Sequence, residues 1–111
     1  MRATALDRWD ASHRDPLAVR TGDPVTVGRR DDTWPEFVWC TGPDGRSGWV
    51  PDAVLEWGAD GAARAGRDYD CAELTVAAGQ SLDVIERLAG WSWCRDATGR
   101  CGWVPDRVLV P

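Results

Sequence analysis

The chain repeats itself. Shifted by 54 positions, Trp39–Leu55 falls on Trp93–Leu109, and 11 of these 17 residues are identical, among them two Trp, a Pro and two Gly. A repeat constrains the fold more than any other sequence feature, because both copies must satisfy the same packing rules. Phe37 falls on Trp91 at the same shift. Further back the match continues through small length changes. Leu17–Val19 falls on Leu74–Val76, Gly22-Asp23 on Gly79-Gln80, Val25–Val27 on Leu82–Val84, and Arg8-Trp9-Asp10 on Asp68-Tyr69-Asp70. The segment Glu56–Gly66, rich in Gly and Ala, has no counterpart inside the repeats and reads as a connector. The 111 residues therefore hold two modules of about half that length, each so small that it buries only roughly 60% of its unfolded surface. The eight Trp of the chain supply large buried areas that offset this.

Within each repeat the apolar period is two, as in Leu82 and Val84, in Trp91–Arg95 and in Cys101–Pro105. Asp96–Gly99 and Pro43–Gly45 carry turn chemistry. Pro51 and Pro105 each follow a Trp-Val pair and cannot donate to a β-ladder, so each should end a strand or lie at its edge. The Asp-x-Val-Leu that follows suits a short 3₁₀ turn. No stretch has a helical stripe. Short strands between turns predict an all-β fold of small barrels.

The net charge is −5 and all 13 basic side chains are scattered Arg, a poor match to the basic patch that neutralises phosphates. This argues against nucleic acid. No run reaches the roughly 20 apolar residues of a membrane span, and Met1 to Asp15 has no leader-like apolar stretch. The expected setting is cytoplasmic, with no membrane partner. The four Cys (Cys40, Cys71, Cys94, Cys101) form no C-x-x-C, and the single His, His13, is distant in sequence from any Cys pair. Neither a metal nor another cofactor is expected. Cys40 and Cys94 stand at equivalent repeat positions and read as small buried side chains.

The second repeat reads Glu73–Val84, then Gly90–Cys94, then Gly99–Leu109, in an order and spacing that resemble the Src-homology-3 (SH3) family. The first repeat resembles it through Leu17, Gly22-Asp23, Phe37, Gly48–Pro51 and Val54-Leu55. The resemblance implies two tandem five-stranded SH3-like barrels, one at 4–56 and one at 63–111, joined by a linker at 57–62. It also implies grooves that hold extended, Pro-rich segments. Carried over residue by residue, the groove of the second barrel is Tyr69, Trp91, Trp103 and Pro105, matched in the first by Trp9, Phe37, Trp49 and Pro51. Asp68, Asp70 and Glu73 would supply acidic charge toward a basic ligand residue. The late groove Tyr of the family is Val108 here, and Val54 in the first repeat.

No catalytic constellation is present. His13 has no Cys or Ser partner in a recognisable arrangement, the pair Asp31-Asp32 reads as a solvated turn, and no Gly-rich phosphate loop occurs. The expected function is thus not enzymatic. The chain reads as an adaptor or regulatory subunit that binds a protein or peptide partner, Pro-rich or basic. A cell-wall module recognising peptidoglycan peptides and a structural assembly scaffold are the alternatives.

Overall fold

In the computed structural model, residues 1–12, 15–59 and 62–111 are described; His13 lies outside them. Twelve short strands run along the chain: β1 (Arg2–Ala5), β2 (Ala18–Val19), β3 (Pro24–Arg30), β4 (Phe37–Thr41), β5 (Ser47–Pro51), β6 (Leu55–Trp57), β7 (Ala63–Ala65), β8 (Tyr69–Asp70), β9 (Ser81–Leu88), β10 (Trp91–Arg95), β11 (Cys101–Pro105) and β12 (Leu109–Val110). The only helical turns among the described residues are 3₁₀, Asp52–Val54 and Asp106–Val108. Each begins directly after the Pro that closes a strand. The protein is all-β, as the period-two pattern predicts.

Two five-stranded sheets form, in the orders β5-β4-β3-β7-β6 and β11-β10-β9-β1-β12, with β2 and β8 as a separate pair. The chain divides into two compact units, Asp15–Cys71 and a discontinuous one made of Met1–Arg14 with Ala72–Pro111. This corrects the expected bounds of 4–56 and 63–111. The opening strand of each repeat sits in the unit built from the other repeat. β1 lies between β9 and β12, with Ala3 opposite Leu82 and Ala5 opposite Leu109. β7 lies between β3 and β6, with Ala63 opposite Val25 and Ala65 opposite Leu55. The two arrangements are register-equivalent, residue for residue.

The physical reason lies in the segment expected to be a linker. Trp57 belongs to β6 and Ala63 to β7, and the two are paired, while the Gly58 N–H donates to the Ala62 carbonyl. β6 and β7 are thus the two arms of one hairpin. Antiparallel strands joined by so short a loop pair with each other, so β7 folds back beside β6 and takes the first-strand slot of the unit at 15–71. β1 is left to complete the other unit.

Alternation decides which residues are core. In β10, Ser92 and Cys94 are fully buried, while Trp91 and Trp93 on the opposite face are partly exposed. In β4, Val38 and Cys40 point inward and Trp39 outward. The core of the discontinuous unit gathers Ala3, Ala5, Leu74, Val76, Leu82, Val84, Cys94, Val104 and Val108. Ser92, a buried polar side chain, donates to Asp106 Oδ1 at 2.5 Å, which satisfies a hydroxyl that would otherwise be costly to bury.

Candidate aromatic site

In the discontinuous unit the strand pairings bring together two aromatics that the sequence separates by 82 positions. The backbones of Trp9 and Val76 exchange hydrogen bonds at 3.0 and 2.9 Å. β10 presents Trp91 on the outer face, opposite Pro105. The Trp9 and Trp91 rings meet edge to face, with centroids 5.5 Å apart and planes at 80°. Both remain partly exposed. Two further side chains hold Trp9, and a third holds one of them. Its Nε1 donates to Glu73 Oε1 at 2.9 Å. The other carboxylate oxygen of Glu73 accepts from Ser12 Oγ at 2.6 Å. The Arg107 guanidinium lies 5.4 Å above the Trp9 ring, a cation–π contact. The backbone N–H of Ala11 donates to Thr75 Oγ1 at 3.0 Å, which holds the loop that follows Trp9.

Trp103 packs edge to face on Trp93 at 5.3 Å but is only 5% exposed. The strand-like segment at 72–74 runs alongside it: the Trp103 N–H donates to the Ala72 carbonyl and its own carbonyl accepts from the Leu74 N–H. Gly102 is what permits this approach, since a Cβ there would stand 2.6 Å from the Glu73 carbonyl carbon and the Leu74 nitrogen. Pro105 is fully buried. Of the four positions assigned to the second groove, Trp91 alone is partly exposed, and Trp9 takes the place expected for Tyr69.

Tyr69 belongs instead to the unit at 15–71, paired with Val19 in β2. It is buried, as are Phe37 and Pro51. Trp49 is the partly exposed member, stacked edge to face on Trp39 with centroids 5.0 Å apart and covered by Arg29, whose guanidinium is 5.1 Å from the Trp49 ring. The expected set Trp9, Phe37, Trp49 and Pro51 is thus not one cluster. The fold places Trp9 in one unit with Trp91, Trp103 and Pro105, and Tyr69 in the other with Phe37, Trp49 and Pro51.

The expected acidic residues separate in the same way. Asp68 and Asp70 stand in the unit at 15–71. The Asp68 carboxylate accepts from the Thr21 backbone N–H at 2.8 Å and from its hydroxyl, which holds its pKa below the usual carboxylate value. Glu73 stands in the other unit, bound to Trp9 and Ser12. Sequence reasoning missed Ser12, Thr75, Arg107 and Arg29. The one legible signal was the match of Trp9 with Tyr69, which shows that the two share a slot but not which unit supplies it.

All four cysteines are free thiols, and Cys40, Cys71 and Cys94 are buried. Burial pushes the Cys40 and Cys94 thiols up to about 11, with the nearby carboxylates of Asp52 and Asp106 acting in the same direction. Neither is a thiolate nucleophile at neutral pH. The described residues contain no group of three or more His, Cys, Asp and Glu placed to hold a metal ion, and no helix among them is long and apolar enough to cross a membrane. No protein family, curated protein or solved structure matches the chain.

Proposed function

We propose that the protein is a non-catalytic binding module, two SH3-like barrels in one chain, that holds a protein or peptide partner on the Trp9–Trp91 pair. The observation that carries this reading is that pair itself. Two partly exposed indoles meet edge to face, and Trp9 is held by Glu73 and Arg107 as well as by packing against the core. Indoles fixed in this way offer contact area at little entropic cost. Perpendicular aromatic walls suit an extended, Pro-rich segment, whose rings dock between them. The acidic balance of the chain favours a ligand with Arg or Lys. Trp103 and Pro105 are buried in the same unit, and Tyr69, Phe37 and Pro51 in the other, so none of them has area to give a ligand. Four free thiols suit the reducing cytoplasm.

The test is a fluorescence titration of the full chain with Pro-rich peptides bearing Arg or Lys, run beside peptidoglycan stem peptides. Trp91→Ala and Trp9→Phe should each weaken binding, the former by about 30-fold, corresponding to a hot spot of about 2 kcal/mol, with the far-UV spectrum unchanged. Binding of stem peptides alone would establish the cell-wall reading. Absence of binding to either, by a folded parent protein, would leave the scaffold reading.

A further inference from the structure

The discontinuous unit is completed by a segment whose covalent route to the rest of that unit runs through the entire unit at 15–71. Every tie between residues 1–12 and residues 72–111 is non-covalent and dense. β1 is sandwiched, pairing on one edge with β9 and on the other with β12. The Met1 amino group donates to the Val84 carbonyl and the Val84 N–H donates to the Met1 carbonyl. Arg2 bridges to Asp83 at 3.0 Å. Beyond the strand, the Leu6 N–H donates to the Val108 carbonyl, and Trp9 and Ser12 seat on Glu73.

A slot of this kind recognises a sequence, not the chain that brings it. Residues 72–111 accept Ala3 and Ala5 against Leu82 and Leu109 whether those alanines come from the same copy or another. The unit at 15–71 demonstrates the same substitution internally, because its equivalent slot is filled by Ala63 and Ala65 of the other repeat. We propose that the chain forms a two-fold dimer with a second copy by reciprocal exchange of residues 1–12, each copy's segment completing residues 72–111 of the other. The same hydrogen bonds and packing are made in both states, so the balance is set by concentration. The intrachain segment acts at an effective concentration of roughly millimolar order, which protein refolded at high concentration can rival. Exchange of identical elements is a low-cost route to a closed, isologous dimer. Because the segment is held on both edges, interconversion requires opening of the sheet, and the two forms separate once folded.

Thr4 and Ser81 face each other across β1 and β9, and both are at least partly accessible, so a disulfide between them reports which copy supplies the strand. In a Cys101→Ser background, full-length chains carrying Thr4→Cys or Ser81→Cys are mixed, unfolded in urea, refolded together across a range of concentrations and oxidised. The double variant Thr4→Cys with Ser81→Cys, refolded dilute, should give an internal disulfide at monomer mass, which establishes the register. The mixture should give a covalent species of twice the 12.2 kDa chain mass, linked 4 to 81 on peptide mapping, in a proportion that rises with refolding concentration. Neither single variant alone should cross-link. A mixture that stays monomeric at every concentration, or a dimer linked through other cysteines, overturns the proposal, as does a double variant with no internal disulfide.

Discussion

At the turn between β9 and β10, Ala89 has φ of 53° and Gly90 of 85°. Left-handed backbone at both central residues is the signature of a type I′ hairpin, which matches the twist of the flanking strands. Glycine adopts it freely and alanine does not. Ala89→Asn should therefore raise the unfolding free energy by about 0.5–1 kcal/mol, measured by urea titration; no gain would mean that the turn is not strained. Gly102→Ala acts in the opposite direction. Its Cβ would meet backbone atoms at 2.6 Å that cannot move without breaking the Leu74 and Trp103 hydrogen bonds, and the loss should be about 1–3 kcal/mol or more. The buried thiols give a pH dependence. Cys40 and Cys94 titrate near 11 when folded and near the ordinary thiol value of about 8.5 when unfolded. Folded chains then hold protons that unfolded chains release, so the contribution of these thiols to stability is level below about pH 8.5 and falls as pH rises toward 11. With no Lys in the chain, few other groups titrate in that window. The thermal midpoint of Cys40→Ala should fall less steeply over it than that of the parent.

At the level of elements, the connector decides the topology. Its Gly and Ala content fits a flexible linker and a hairpin loop equally well, and only the pairing of Trp57 with Ala63 distinguishes them. Its consequence is that β1 is a structural member of a unit whose other strands begin at residue 81. Ala3 is buried between Leu82 and the rest of that core, in a place where a larger or charged side chain has no room. Ala3→Asp would bury a carboxylate with no partner, a change that costs several kcal/mol. Hydrogen exchange should then show lost protection in β9 and β12, with β3, β4 and β5 still protected. Equal loss in both sheets would show that the two units unfold as one. The aromatic strands follow a rule that was visible in part: period two places Cys and Trp of each Trp-Cys pair on opposite faces. The Cys faces are the core ones because small side chains fit the interior of so narrow a sheet, which leaves the indoles outside to stack on each other.

For the whole molecule, the order of folding follows from sequence separation. The unit at 15–71 is continuous, and even its most distant strand pairing, Ala18 with Asp70, spans fewer residues than any pairing of β1. The other must bring β1 to partners at 81–83 and 109–110, and contacts between distant residues form late because loop-closure entropy is lost before they contribute. Pulse-labelling during refolding should find the β3–β4 amides protected before those of Ala5 and Val84. The edge-to-face signal of Trp9 on Trp91 in near-UV circular dichroism should appear with the later phase. Simultaneous protection would mean that β1 docks early.

The residues by themselves determined the all-β class, the repeat, the strand ends at Pro51 and Pro105, and the burial of Cys40 and Cys94, because period, turn chemistry and missing backbone donors are local properties. Tertiary structure alone decided that Trp9 stands against Trp91, and that Tyr69 belongs to the unit of Phe37, Trp49 and Pro51. The opening strands of the two repeats carry the same alternating alanines, so either fits either slot. The choice between them is made by the pairing of β6 with β7, which exists only once the chain has folded back on itself.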